Sequence, residues 1–189
     1  MGRDSMKHVF NILDQFNSRK LPPVGDWNPP YCGEIDLRIM KNGVWLYENS
    51  RIQRDRLVKL LSSILKLEDD GKYYLVTPSE KLRIRVDDAP FLGVEFAVDG
   101  SEKNQKLVFR TNVDDTVLVD VNHPIRVVES IDTGEPSPYL MVRDGLEARL
   151  SRTVFYQLAD LAIEQNQFQN NSIGIWSCGT FFYLEHKRF

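Results

Sequence analysis

The chain has 189 residues, of which 42% are hydrophobic and 27% charged, with a net charge of −3 and an isoelectric point near 5.7. This balance is typical of a folded globular protein and excludes a disordered chain. The small negative charge offers no basic surface for a nucleic-acid backbone, so we expect no nucleic-acid partner. No apolar run approaches the ~18 residues of a membrane span, and the polar start is unlike a signal peptide. We therefore expect a cytoplasmic protein without a membrane partner.

The N-terminal region, residues 1–33, combines a helical pattern with a proline-rich segment. Apolar side chains recur at helical spacing over residues 6–17, which predicts a short helix. Residues 21–33 contain four prolines, which argue against a helix or a central strand. We expect an extended strap there, with Trp27 and Tyr31 packed onto the rest of the protein.

A first unit, residues 34–98, begins with a predicted β-hairpin. Polar and apolar residues alternate from 34 to 39, and the turn sequence Asn42-Gly43 follows, which is the strongest local signal of a hairpin. A two-residue loop at this turn would place Ile39 opposite Leu46. One face of the hairpin would then carry Asp36, Arg38, Met40, Trp45 and Tyr47.

An amphipathic helix is predicted after this hairpin, and both elements recur in a second unit, residues 99–189. The second hairpin turns at Asp144-Gly145. Each apolar residue of the second helix follows its counterpart in the first by 98 residues, and arginines before the helices recur at the same offset. The pattern predicts a duplicated hairpin–helix unit. The paired stripes are Leu57, Leu60, Leu61, Ile64 and Leu65 in the first helix and Phe155, Leu158, Ala159, Ala162 and Ile163 in the second.

The other predicted strands lie between and after these elements. Their connections are short and carry no helix, which favours antiparallel pairing. The sequence therefore predicts an α+β fold, built from a duplicated β-hairpin/helix unit with mostly antiparallel strands.

The sequence contains no motif of a known catalytic or cofactor site. Its three histidines lack metal-binding spacing, and neither a glycine-rich phosphate loop nor a nucleophile elbow occurs. Cys32 and Cys178 belong to no CxxC motif, and we expect buried or half-buried thiols. We therefore predict no metal and no cofactor, and we assign no catalytic residue.

Asp87-Asp88 and Asp114-Asp115 are two pairs of adjacent carboxylates that are candidates for a catalytic dyad. Neighbouring residues on a strand point to opposite faces, so neither pair forms a catalytic dyad by itself. We expect turn residues that accept hydrogen bonds from nearby backbone amides. A dyad formed by acids distant in sequence stays open.

Arginines precede each predicted helix, with Arg51 and Arg54 before the first and Arg149 and Arg152 before the second. A helix N-terminus carries partial positive charge and favours acidic neighbours, so arginines at these positions are unexpected. Guanidinium groups beside free helix amides would bind a phosphate or a carboxylate. The alternative is that these arginines form ordinary salt bridges with the nearby acids Glu48, Asp55, Asp144 or Glu147.

The polar face of the first hairpin is a second candidate binding surface, because Trp45 and Tyr47 would lie there beside Asp36 and Arg38. Aromatic rings next to a charged pair can stack on a flat ring and hydrogen-bond its edge. The alternative is that this face packs against the second unit or the strap. A loop over residues 77–81 adds two further candidates, Glu80 and Lys81.

The strings at residues 33–39, 74–81 and 86–91, together with the Asn42-Gly43 turn, resemble the uncharacterised bacterial family known as domain of unknown function 1285. The resemblance covers the chain from about residue 20 onward. It implies a duplicated core, a C-terminal half loosely similar to pleckstrin-homology-like folds, and a small-ligand site between the halves. It also implies a nucleotide-like ligand and a role in signal transduction, and it supplies no catalytic residues.

We expect a non-enzymatic regulatory protein of bacterial signal transduction that binds a small anionic ligand, either nucleotide-like or another phosphate or carboxylate. Two alternatives stay open. A hydrolase or transferase would use acids brought together in the groove between the units, and a protein-interaction module would use an exposed strand edge. The sequence does not determine the oligomeric state.

Overall fold

The computed structural model describes residues 21–130 and 134–185, so the helix predicted at residues 6–17 lies outside the described residues. The described part is mostly β, with two α-helices, α1 (Asp55–Ser63) and α2 (Arg152–Glu164). The strands are β1 (Tyr31–Ile39), β2 (Trp45–Tyr47), β3 (Ser50–Arg51), β4 (Leu65–Leu67), β5 (Tyr73–Val76), β6 (Lys81–Val86), β7 (Phe91–Asp99), β8 (Lys106–Thr111), β9 (Thr116–Leu118), β10 (Ile125–Glu129), β11 (Pro136–Arg143), β12 (Leu146–Leu150), β13 (Phe168–Gln169), β14 (Ser172–Ser177) and β15 (Thr180–Tyr183). Short 3₁₀ turns occupy Val24–Asp26 and Glu102–Asn104.

Three sheets form from these strands. The first has the order β3-β2-β1-β6-β5-β4, the second β10-β11-β12-β7-β8-β9, and the third β13-β14-β15. Most neighbours are antiparallel, as predicted, but β1 pairs with β6 and β7 pairs with β12 in parallel. Long stretches of chain separate the members of both parallel pairs, so the rule for short connections does not apply to them.

The first hairpin forms where predicted, but its register is displaced by one residue. The loop holds three residues, Lys41 to Gly43, because Met40 donates its N–H to the Val44 carbonyl at 2.9 Å and accepts from Gly43 at 2.8 Å. Gly43 has a φ of 79°, which suits a turn followed by a glycine bulge. Ile39 therefore lies opposite Trp45 rather than Leu46. A one-residue shift exchanges the two faces of a strand, and it turns Trp45 into the core.

Helix α1 is shorter and more exposed than its apolar stripe predicts. It ends at Ser63, and the last stripe residue, Leu65, lies in β4. Leu57 and Leu60 are exposed, whereas the buried helical residues are Ser62 and Ser63. Their hydroxyls donate to the carbonyls three residues earlier, at 2.8 and 2.7 Å, so that burial leaves no unpaired polar group.

Helix α2 follows its prediction more closely, and it packs on a core shared by all three sheets. Phe155, Leu158 and Ala162 are buried, and Ile163 is exposed. The same apolar cluster joins residues of every sheet, among them Ile39, Trp45, Leu107, Phe109, Leu140 and Ile175. The first helix contributes only partly buried residues to it.

Both cysteines are exposed free thiols, so the expectation of buried thiols is wrong. Cys32 lies on the early part of β1, which β2 does not reach because β2 pairs with residues 37–39. Cys178 stands in the turn between β14 and β15 with a φ of 50°. Turn backbone of this kind lies at the protein surface.

The side chain of Asn112 connects the β1–β2 loop to the second sheet. We call the residues before Pro90 the first half and those from Pro90 onward the second half. The Asn112 amide donates to the Gly43 carbonyl at 3.1 Å and accepts from the N–H of Leu92 at 3.0 Å. A Cβ atom on Gly43 would stand 2.8 Å from the Asn112 amide nitrogen. The glycine therefore provides both the turn conformation and the space for this contact.

Charged contacts join α1 to the second half as well. Arg143 donates to the Ser62 carbonyl at 2.8 Å and forms an ion pair with Asp115 at 2.5 Å. Lys59 forms an ion pair with Asp114. Burial alone would raise the pKa of Asp114, but hydrogen bonds from Lys59 and Arg110 outweigh it and lower that pKa from its ordinary value of 3.8.

Replacing Asn112 by Ala should lower the free energy of unfolding by about 1–3 kcal/mol, because two backbone groups would lose their partner at once. Urea denaturation monitored by circular dichroism measures the change. Asn122→Ala is the matched control, because Asn122 is exposed and its side chain has no hydrogen-bond partner among the described residues. Equal stability of the two variants would contradict the role given to Asn112.

Replacing Asp114 by Asn should destabilise the protein at pH 7 and much less in acid. Asn tolerates the φ of 63° at this position, so the change removes mainly the charge. A carboxylate with a lowered pKa stabilises the fold above its ordinary value of 3.8, and this contribution is lost as the pH falls through the lowered folded value.

Urea unfolding of both proteins across the acid range measures this dependence. Asp160→Asn on the exposed face of α2 is the control, and it should differ little from the wild type at any pH. A difference between wild type and Asp114→Asn that stays constant with pH would contradict the prediction.

Candidate functional site

A cleft of about 330 Å³ opens where the β1–β2 loop of the first half approaches the N-terminus of α2 in the second half. This volume lies at the lower end of the range for small-molecule sites. We call it the cationic cleft. Its lining comprises Lys41, Asn42, Leu92, Glu135, Pro136, Pro138, Arg149, Leu150, Ser151, Arg152, Phe155 and Tyr156.

The N-terminus of α2 points unneutralised backbone dipoles toward this cleft. Ser151 is the N-cap, and its hydroxyl accepts the N–H of Val154 at 3.3 Å. The first turn of α2 contains no acidic residue, whereas that of α1 contains Asp55. Since an acid in the first turn offsets the positive end of the helix dipole, the α2 terminus is the better place for an external anion.

Arg149 is held in place by a carboxylate of the other half. It donates to Asp88, forming an ion pair in which the two side chains are 19% and 17% exposed, and to the Ser137 hydroxyl at 3.1 Å. Tyr139 also donates to Asp88, at 2.7 Å. Burial first, and then this hydrogen bond, raise the pKa of Tyr139. Asp88 therefore fixes the guanidinium at the cleft wall.

Two further cations lie at the mouth of the cleft. Arg152 pairs with Glu135 at 2.8 Å, with side chains 74% and 62% exposed, so water weakens this contact strongly. Lys41 is exposed at the tip of the β1–β2 loop and has no ion-pair partner among the described residues. The lining thus holds three cations, Lys41, Arg149 and Arg152, against one anion, Glu135, or against two when Asp88 is included.

The remaining wall of the cleft is apolar and aromatic. Leu92, Leu150 and Phe155 contribute its apolar side chains. Tyr156, one turn after the start of α2, is 60% exposed and also lines the cleft. A flat ligand ring could stack there while an attached anionic group occupies the helix terminus.

The structure brings only one of the two predicted arginine pairs into this cleft. Arg149 and Arg152 line it, whereas Arg51 at the end of β3 and Arg54 at the N-cap of α1 are exposed and do not. The alternative salt bridges are also not the predicted ones. Arg149 pairs with Asp88 and Arg152 with Glu135, while Glu147 pairs with Arg126.

The polar hairpin face does not form as predicted, because the register shift separates its members. Trp45 is 2% exposed and lies in the core, so it cannot stack on a ligand. Tyr47 is exposed at the end of β2. On the other face, Arg85 donates to Asp36 at 2.8 Å, and Arg38 donates to Asp87 at 2.7 Å, a contact that raises the pKa of Arg38.

Glu80 and Lys81 lie away from the cationic cleft. Glu80 is exposed in the turn before β6. Lys81 lines a separate cleft of about 540 Å³, where its ammonium lies 2.7 Å from Glu68 and 5.0 Å from the centroid of the Tyr74 ring. Tyr74 donates to Asp70 at 2.8 Å, and this hydrogen bond is the main cause that raises the pKa of Tyr74 to about 12.

The adjacent aspartates contact cations rather than mainly backbone amides, which corrects their predicted role. Asp87 pairs with Arg38, Asp88 with Arg149, and Asp115 with Arg143. Asp114 pairs with both Lys59 and Arg110. Two of these contacts, Asp88–Arg149 and Asp114–Lys59, cross between the halves, and sequence spacing carries no information about such long-range pairs.

Lys41, Asp88 and Tyr156 are the site residues that sequence reasoning missed. Lys41 belongs to the recognised hairpin turn, but only the packing of the halves brings that turn to α2. Tyr156 lies outside the apolar stripe of α2. An aromatic residue at such an exposed helical position is the sequence feature that could have indicated it as a candidate site residue. The sequence shows Asp88 only as one member of an adjacent acidic pair.

No group of three or more side chains suited to hold a metal ion occurs among residues 21–130 and 134–185. Within the same ranges, no helix has the length and apolar character needed to cross a bilayer.

Fold and cleft together define a class of two-part α+β protein with a cationic cleft between its halves. Two family models match the chain, "Domain of unknown function (DUF1285), N-terminal domain" at residues 22–89 and "Protein of unknown function (DUF1285), C-terminal domain" at residues 90–184. The chain belongs to the DUF1285 family, as its sequence strings predict.

Two crystal structures of family members resemble this protein. A DUF1285 family protein from Silicibacter pomeroyi DSS-3 is 45% identical, with a TM-score of 0.82 and coverage of 90% of both chains. One from Shewanella baltica OS155 is 29% identical, with a TM-score of 0.52 and coverage of 71% of this chain and 94% of that chain. A search of the curated proteins found no match.

Replacing Asp88 by Asn should lower the free energy of unfolding by about 1–3 kcal/mol, because Arg149 and Tyr139 would lose a charged hydrogen-bond partner in a half-buried place. Glu135→Gln is the matched control. It removes the same kind of charge from an exposed pair and should change stability by less than about 1 kcal/mol. Chemical denaturation of both variants measures the contrast, and a larger loss in Glu135→Gln would contradict it.

Proposed function

We propose that this protein binds a small anionic ligand in the cationic cleft and acts as a regulatory protein of bacterial signal transduction in the cytoplasm. The observation that carries the proposal is the convergence of Lys41, Arg149 and Arg152 on a helix N-terminus without an acid in its first turn. Helix amides and guanidinium groups are the ligands that proteins use for phosphates and carboxylates.

The aromatic edge of the cleft favours a nucleotide-like ligand over a bare anion. A phosphate group would contact the α2 terminus, Lys41 and Arg152, and a flat base would lie against the exposed ring of Tyr156. Arg152 would exchange its exposed contact with Glu135 for the ligand at low cost, because such a surface pair contributes little.

A regulatory role is supported by the composition of the cleft from both halves. Lys41 and Asn42 come from the first half, and the rest of the lining comes from the second. A ligand bound there would contact both halves at once and would stabilise their association by its binding free energy. That change in association is the signal we propose.

The hydrolase or transferase alternative finds less support. It requires carboxylates that face one another in a groove, and the four candidate aspartates each pair with a cation instead. The interaction-module alternative would use an edge strand such as β10, where Val128 is exposed. We rank it second because β10 also contacts β15.

We also propose that the two hairpin–helix units are copies of one ancestral unit and that the second half is distantly pleckstrin-homology-like. In both units a hairpin leads into a helix and then into three antiparallel strands. In the first unit these three strands join the sheet of the hairpin, and in the second they form a sheet of their own.

Thermal-shift and calorimetric titrations with AMP, inorganic phosphate and citrate test the function. AMP should bind and raise the melting temperature, since ligand at 100 times Kd adds about 2.7 kcal/mol to stability. Lys41→Ala/Arg152→Ala should weaken binding by about tenfold or more, which corresponds to about 1.4 kcal/mol. Tyr156→Ala should weaken the binding of AMP more than the binding of inorganic phosphate.

Arg51→Ala/Arg54→Ala is the matched control, because it removes two exposed cations beside the other helix. Unchanged binding in this variant supports the cationic cleft. Loss of binding in this variant alone would move the site to α1, as the sequence also allowed. The absence of any response to all three probes would overturn the proposal.

A further inference from the structure

A different cleft, of about 630 Å³, lies at the opposite end of α2 from the cationic cleft. One wall is the connection between β7 and β8, residues 101–104, and the other is the chain that leaves α2, residues 165–168. Trp176 of β14 lies between them. We call it the aromatic-amide cleft. The 13 residues of α2 separate its two ends by roughly 20 Å, so the two clefts are distinct sites.

Two buried glutamines fix the backbone of Trp176. Gln167 accepts the N–H of Trp176 at 2.7 Å, and Gln105 donates to its carbonyl at 2.7 Å. Gln105 is 0% and Gln167 5% exposed. Since β13 has only two residues, these side chains satisfy backbone groups that a longer neighbouring strand would have paired. The short strand leaves the cleft open beside the tryptophan.

The Trp176 ring is also held from the side. It packs edge-on against Phe181 at a centroid distance of 5.2 Å, and Phe181 packs against Tyr183 at 5.1 Å. The ammonium of Lys103 lies 5.1 Å from the centroid of the Trp176 ring. Lys103 is exposed, and an exposed contact of this kind contributes only about 0.5–1 kcal/mol, so a ligand ring can displace it.

The polar groups around this aromatic floor are mostly uncharged. Glu102 and Lys103 balance each other, and Ser101, Asn104, Gln165 and Asn166 supply a hydroxyl and side-chain amides. No described residue accepts from or donates to the side chains of Asn104 and Asn166. Amides both donate and accept, which matches hydroxyl groups rather than a phosphate or a carboxylate. The exposed ring of Phe168 completes the apolar surface.

Two residues of the walls have left-handed backbone. Glu102 has a φ of 54° and Asn166 a φ of 52°. A glutamate rarely adopts this conformation, and such strain is concentrated at ligand sites. Asn tolerates this conformation, so Glu102 is the strained residue of the two.

We propose that the aromatic-amide cleft binds a neutral saccharide. The apolar C–H face of a sugar ring would stack on Trp176 and Phe168, and its hydroxyls would hydrogen-bond the side-chain amides of Asn104 and Asn166. The balanced charge of the lining disfavours an ionic ligand. In this respect the aromatic-amide cleft differs from the cationic cleft.

Saturation-transfer NMR with glucose, N-acetylglucosamine, maltose and cellobiose as probes tests the proposal. At least one sugar should bind, with a dissociation constant on the order of 1 mM. Spectra of ¹⁵N-labelled protein then locate the contact, because the chain has three tryptophans and hence three indole N–H signals. The Trp176 signal, assigned from its loss in Trp176→Leu, should shift, and those of Trp27 and Trp45 should not.

Asn166→Gly removes the amide and preserves the left-handed backbone, and it should weaken sugar binding by about tenfold. Asn170→Gly is the matched control, because Asn170 has a φ of 51° but does not line the cleft. Equal affinity of the two variants would overturn the proposal. So would the lack of saturation transfer to all four sugars, or a shift confined to Trp27 or Trp45.

Discussion

The contact between the Gly43 turn and Asn112 joins the β1–β2 loop to the second half. Gly43 closes a three-residue loop with a positive φ, and its missing side chain lets the Asn112 amide approach the backbone. Because the loop has three residues, Trp45 faces the core, and because it contacts Asn112, Lys41 lies at the N-terminus of α2. This one turn therefore places Trp45 in the apolar core and Lys41 in the cationic cleft.

Ion pairing then decides which charges remain for a ligand. Most arginines of the described chain are engaged by carboxylates, including Arg38, Arg143 and Arg149. These pairs orient side chains, and the Arg149–Asp88 pair also joins the halves. Lys41 and the weakly paired Arg152 remain accessible beside a helix terminus that carries no acid. The proposed anion site therefore depends on the few cations of the cleft that structural pairing leaves accessible.

Helix α2 connects the two proposed sites. Its N-terminal end presents backbone amides and, one turn later, Tyr156 to the cationic cleft, and the chain after its last turn forms a wall of the aromatic-amide cleft. The sites differ in chemistry because their linings differ in charge. One gathers cations around a helix terminus, and the other gathers amides around tryptophan. Shared membership in the DUF1285 family supplies the fold for both and assigns a ligand to neither.

The sequence alone specified the elements that form through interactions between residues close together in the chain. The alternation before Asn42-Gly43, the apolar stripe of α2 and the turn at Asp144-Gly145 predicted the hairpins and the second helix, because hydrogen bonding and side-chain periodicity act within a few residues. The arginines before α2 could also be identified, since a cation at a helix N-terminus runs against the dipole preference.

Only the tertiary structure decided the rest. One additional loop residue exchanged the faces of the first hairpin, and the packing of α1 exposed Leu57 and Leu60 while burying two serines. The separation of Arg51 and Arg54 from the cleft, and the arrival of Lys41 in it, follow from contacts between residues distant along the chain. Such contacts depend on the closure of long loops and on the complementarity of whole surfaces. The spacing of residues along the sequence predicts neither.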